Sequence, residues 1–180
     1  MPRLNQVFID FKALIEKALE AKGVTGWLVA QNYNPVQGHF TQPVLIMHRV
    51  RNEQHGAIGQ YYNVQEDKLF LVTKETHEVT FQVDAIKPRD LTGAAEAWEA
   101  NDVINALRSW MSGPFGTKEI REKGYALGEK IRVVEEPTFV DENDTFEYNP
   151  NMQVKLFFTD VEQEEVPALD AVENQGIKGV

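Results

Sequence analysis

The 180 residues predict a single domain of the α+β (α/β) class, and three observations carry that prediction. Apolar residues recur at three- and four-residue spacing over two long stretches, one at the N-terminus and one over 94–111. Two other stretches, 77–86 and 152–158, alternate apolar and polar residues one for one, the period of a strand with one wet face. The length is that of one domain, enough to bury roughly 70% of the unfolded surface without cross-links.

Taken in order, Leu4, Val7, Phe8, Phe11, Leu14, Ile15, Ala18 and Leu19 make the apolar stripe of a first helix. Glu16, Lys17, Glu20 and Lys22 fall elsewhere on its wheel, and Gly23 is the stop signal. Trp27 to Ala30 reads as a short buried strand leading into the turn-rich Gln31-Asn32-Tyr33-Asn34-Pro35. Pro43 to Arg51 is a longer strand, apolar on both faces in its first half and so covered on both sides there. Gly56 to Val64 and Lys68 to Val72 suit a hairpin turning at Gln65-Glu66-Asp67. In His77–Ile86, Val79, Phe81, Val83 and Ala85 take one face and Glu78, Thr80, Gln82 and Asp84 the other.

Lys87-Pro88-Arg89-Asp90 breaks that strand, because proline has no N–H to give a ladder. A second main helix is expected over Ala94–Met111, with Thr92 as N-cap, a stripe of Ala100, Val103, Ile104, Leu107, Trp110 and Met111, and a stop at Gly113-Pro114. A short helix follows over Lys118–Lys123, then brief strands at Ile131–Val134 and Pro137–Val140. In the last alternating strand Met152, Val154, Leu156 and Phe158 share a face, and Phe157 on the polar side hints at a contact there. From Val161 the chain is acidic and aperiodic, which divides it into a domain over 1–160 and an arm or tail over 161–180.

Composition excludes several chemistries. There is no cysteine, hence no disulfide, thiolate metal site or thiol nucleophile. Serine occurs only at Ser109 and Ser112, with no G-x-S-x-G around either. His39, His48, His55 and His77 are scattered, without the i, i+4 pairing of a zinc hydrolase. Asp141-Glu142-Asn143-Asp144-Thr145-Phe146-Glu147 has oxygens at alternating positions, but a calcium loop needs glycine sixth and glutamate twelfth, where this chain has Phe146 and Met152. A solvated acidic turn is the better reading. Gly113-Pro114-Phe115-Gly116-Thr117-Lys118 fails the spacing of a phosphate loop. The expectation is a protein that is not an enzyme and holds no cofactor or metal.

The net charge of −10 is uneven. Glu135 to Gln175 carries twelve acidic residues against Lys155, and the remainder of the chain is close to neutral. That acidity argues against tight nucleic-acid binding in the C-terminal quarter. Arg49, Arg51, Lys87 and Arg89, near strand ends, read as scattered surface cations that could meet DNA or an acidic neighbour. No run of 18 apolar residues suggests a membrane span, and folding in a cytoplasm is the default.

Several local phrases, in this order, resemble the phage neck terminator-like family of tail-completion proteins. They are Val7-Phe8-Ile9-Asp10-Phe11, Trp27 through Pro35, Pro43-Val44-Leu45-Ile46-Met47, the strand–loop–helix unit from Val79 to Trp110, and Met152 to Thr159. The resemblance covers about residues 5 to 160. The chain departs from the family at Val36-Gln37-Gly38-His39-Phe40, where proline-rich wording is common, and in its acidic extension.

The resemblance implies a mixed, mainly antiparallel β-sheet flanked by two main helices, similar to lambda-type tail terminators. It implies a structural virion protein of the phage neck, made in the host cytoplasm and assembled as a homo-hexameric ring. Such a ring caps the tail tube, meets head–tail connector or collar proteins, and lets DNA pass through its centre during genome ejection. Asp141, Glu142, Asp144 and Glu147 are then candidates for a channel lining or docking surface, and Glu162, Glu164 and Glu165 for a subunit-interface arm. A head–tail adaptor or stopper, or a non-virion assembly chaperone or binding module, are the alternatives.

Overall fold

A computed structural model describes residues 2–31, 42–88, 97–139 and 146–167. The first helix, α1 (Pro2–Ala21), forms where the periodicity predicts it. Val7, Phe11, Leu14, Ile15, Ala18 and Leu19 are buried, so the stripe is the core face. Its end is chemical as well as compositional. Gly23 turns left-handed at φ 68°, its N–H bonds the Glu20 carbonyl at 3.0 Å, and the Val24 N–H reaches Leu19 O at 2.9 Å. The pair satisfies carbonyls that the last turn leaves without partners.

Seven strands follow in chain order with two further helices between them: β1 (Leu28–Gln31), β2 (Val44–Gln54), β3 (Gly59–Gln65), β4 (Lys68–Ile86), α2 (Ala100–Ser112), α3 (Pro114–Glu122), β5 (Ala126–Leu127), β6 (Arg132–Phe139) and β7 (Phe146–Val166). They make one mixed sheet in the order β1-β2-β4-β7-β5, with β3 added to β4 and β6 to β7. β1 runs parallel to β2, Leu28 opposite Val44, while β3, β5 and β6 pair antiparallel to their neighbours. The α+β class is the predicted one, with α3 a fuller third helix.

By contacts the chain divides into two compact units. The larger comprises Met1–Asn52 and Val79–Phe157, and the smaller Glu53–Glu78 and Phe158–Val180. In the larger unit α1, α2 and α3 pack on one another. Phe81 of β4 stacks on Phe11 at 4.4 Å between ring centroids and meets Phe8 edge-on at 5.4 Å. Val79, Val83, Ala85, Met152, Val154 and Leu156 complete this core, all on the faces their alternation assigns. In the smaller unit the β3–β4 hairpin turns at Glu66 and Asp67, with φ of 50° and 63°. Two successive left-handed residues make the two-residue turn whose twist suits a hairpin.

Several expectations need correction. Trp27 is buried, but β1 is an edge strand and Leu28 is 49% exposed, so this is not a buried strand. The second helix begins at Ala100, and Thr92 and Ala94 lie outside the described residues. Glu99 stands extended ahead of the helix, and its carboxylate accepts from Lys87 Nζ at 2.7 Å instead of capping the helix amides. The third helix starts at Pro114, because Gly113 closes α2 and opens α3 with proline at the first helical position, where its missing N–H is no loss. Lys68–Val72 and His77–Ile86 are one strand, as are most of Ile131–Val134 and most of Pro137–Val140. β7 continues through Val166, so the first residues of the expected arm are strand.

Candidate interaction surfaces

A polar ribbon crosses the sheet of the larger unit. His48 Nε2 on β2 lies 3.3 Å from Asp84 Oδ2 on β4. Gln82 Nε2 donates to Asp84 Oδ1 at 2.8 Å, and Gln153 Nε2 on β7 to Gln82 Oε1 at 3.4 Å. These side chains are on the wet face that alternation predicts for β4, and each bond holds the next acceptor in place. A histidine beside a carboxylate resembles part of a hydrolytic triad. Ser109 and Ser112, the only serines, belong to α2 and not to this ribbon.

The register Arg132↔Gln153 brings the ribbon's end beside a cluster of cations. Glu129, Lys130, Arg132, Gln153 and Lys155 line a cavity of about 110 Å³. Lys130 and Arg132 are exposed, Lys155 half-exposed, and among the described residues no carboxylate pairs with Lys130 or Arg132. Of the residues that line it, three are cations and one is an acid, on a chain whose net charge is −10. Sequence reasoning missed it, since Lys130 and Lys155 are 25 residues apart and only the β6–β7 pairing joins them.

The smaller unit carries two further features. Its hairpin exposes Ile58, Tyr61, Tyr62 and Val64, an apolar density unusual for a solvated strand pair. Lys74 Nζ sits 5.0 Å from the centre of the Tyr61 ring, and His77 stacks on Phe158 at 5.1 Å. The C-terminal end of β7 exposes Glu162, Glu164 and Glu165. Glu165 is held by Lys68 Nζ at 2.9 Å, whereas no cation meets Glu162 or Glu164 among the described residues. Of the predicted arm residues, Glu165 is thus the one with a cation beside it among the described residues.

Asp141, Glu142 and Asp144 lie outside the described residues. Glu147 is on β7, its backbone opposite Thr138. Arg49 lines a cavity of about 490 Å³ with Asn5, Phe8, Ile9 and Gln31. Lys87 pairs with Glu99, and Arg89 is outside the described residues. Among the described residues no group of three or more His, Asp and Glu side chains converges on a metal position, and no helix is long and apolar enough to cross a membrane.

No curated protein matches the chain. A family model described as E217 gateway protein gp29 matches residues 7–168, nearly the whole chain. The resemblance to phage neck proteins thus holds at the level of a phage gateway family, without singling out the tail terminators. The chain belongs to the E217 gateway protein gp29 family, a family of phage structural proteins.

Proposed function

We propose that this protein is a structural subunit of the phage head–tail connector region, forming a ring that caps the tail tube and joins it to the connector or collar above, with DNA passing through its centre. The family match over residues 7–168 is the observation that carries the reading. The surfaces fit it: exposed apolar residues on a hairpin, a basic spot and an acidic strand end on one chain supply complementary patches for a closed, head-to-tail assembly. A six-subunit ring is the expected form. In this reading Asp141, Glu142, Asp144 and Glu147 line the channel and repel DNA, so that it slides without sticking.

The test is native mass across a concentration series, followed by co-sedimentation with purified tail tube and, separately, with portal complex. A discrete species of six subunits that caps tubes supports the terminator role. Binding to portal alone would make it an adaptor or stopper, and absence from purified particles an assembly factor. The channel assignment has its own check. Replacing Asp141, Glu142 and Asp144 with neutral residues should slow genome ejection while particle assembly stays normal, and unchanged ejection kinetics would reject it.

A further inference from the structure

Opposite charges sit on the two compact units of this chain. The cationic spot of Lys130, Arg132 and Lys155 surrounds its small cavity on β6, β7 and the segment before β6. The anionic pair, Glu162 and Glu164, is near the C-terminal end of β7. Alternation puts Glu162 and Glu164 on the same side of the strand and Glu165 on the other, where Lys68 takes it.

We propose that the acidic end of β7 in one copy docks on the Lys130–Arg132–Lys155 spot of the next, with Glu162 and Glu164 as the carboxylates that enter. The contact is heterologous: each copy offers a donor surface at one place and an acceptor surface at another. It therefore propagates from copy to copy and closes when the rotation between them divides a full turn. Lys130 and Arg132 supply the exposed charges, and Gln153, at the end of the hydrogen-bonded ribbon, offers an amide to the entering carboxylate. Glu129 sets the limit on occupants. Its carboxylate repels any entering anion, so the two docking carboxylates sit toward Lys130 and Arg132 and away from it. The inference rests on the ring reading and names the contact that builds the ring.

Charge reversal tests it in the full-length chain. Lys130→Glu with Arg132→Glu, and separately Glu162→Lys with Glu164→Lys, should each raise the concentration needed for half-assembly by at least about tenfold. Circular dichroism should show both folded, since the four side chains are exposed. An equimolar mixture of the two variants should form mixed oligomers, because each restores one complementary contact to the other. Glu165→Gln should assemble like wild type, its carboxylate being engaged by Lys68 in its own copy. Wild-type assembly with both reversed variants assembling normally would overturn this contact and leave the ring reading standing. Wild type remaining a monomer at every concentration, with and without tail tube, would remove both. Loss of duplex DNA retention by Lys130→Glu/Arg132→Glu with assembly intact would assign the spot to DNA and overturn the proposal.

Discussion

At Asp10, burial pushes the carboxyl pKa up, but hydrogen bonds from Tyr125, Lys123 and Gln6 and the Lys123 charge outweigh it and hold the group below its ordinary 3.8. The Tyr125 hydroxyl donates at 2.6 Å and Lys123 Nζ at 3.0 Å, so one side chain of α1 ties the helix to the chain just after α3. A depressed carboxylate pKa stabilises the fold above its unfolded value, and the contribution fades as pH falls through the folded one. Asp10→Asn should lose about 1–2 kcal/mol at pH 7. In urea titrations the gap to wild type should stay constant down to about pH 5 and close below 3.8. A gap independent of pH would mean that the charge of Asp10 does not matter. Lys123 and Tyr125 were not legible as partners in the sequence, because they lie 113 and 115 residues from Asp10. The apolar stripe beside Asp10 was legible, since burial of Val7, Phe11 and Leu14 follows from spacing alone.

Between elements, the corner from α2 to α3 depends on Gly116. A Cβ there would overlap the Trp110 carbonyl oxygen and stand 2.8 Å from Met111 Cα, both backbone atoms that cannot swing aside. Gly116→Ala should cost about 1–3 kcal/mol by forcing the helices apart. Gly59→Ala, whose Cβ would meet Lys74 only at 4.0 Å, should change stability by less than about 0.5 kcal/mol. Thermal melts of the two side by side decide it. The hairpin turn offers the opposite kind of change. Glu66 and Asp67 hold positive φ without being glycine, so Glu66→Asn with Asp67→Gly should stabilise by about 0.5–1 kcal/mol and slow amide exchange in β3. The turn itself could be placed from sequence, flanked as it is by apolar runs. The fusion of Lys68–Val72 with His77–Ile86 into one strand could not, because Thr73 to Thr76 shows no alternation, and Thr73 and Lys74 are paired across to Gln60 and Gly59 of β3.

Across the whole molecule, charge and apolar surface make opposite predictions for assembly. Going from 0.1 M to 1 M salt shortens the Debye length from about 10 Å to about 3 Å. If acidic strand ends dock on basic spots, sedimentation velocity should show the oligomer dissociating over that range. Assembly driven by Ile58, Tyr61, Tyr62 and Val64 alone would hold or strengthen instead. By itself the sequence determined the fold class, the core faces of α1, β4 and β7, the absence of thiol and serine-elbow chemistry, and a neck-like identity that the family match places among gateway proteins. Those properties follow from spacing and composition, which are local. Only the tertiary structure decided that β1 is an edge, that Glu165 pairs with Lys68, and that Lys130, Arg132 and Lys155 line one cavity. Each of these depends on strand order or register, and which distant segments pair is set by the packing of the whole chain, not by the pattern of any one stretch.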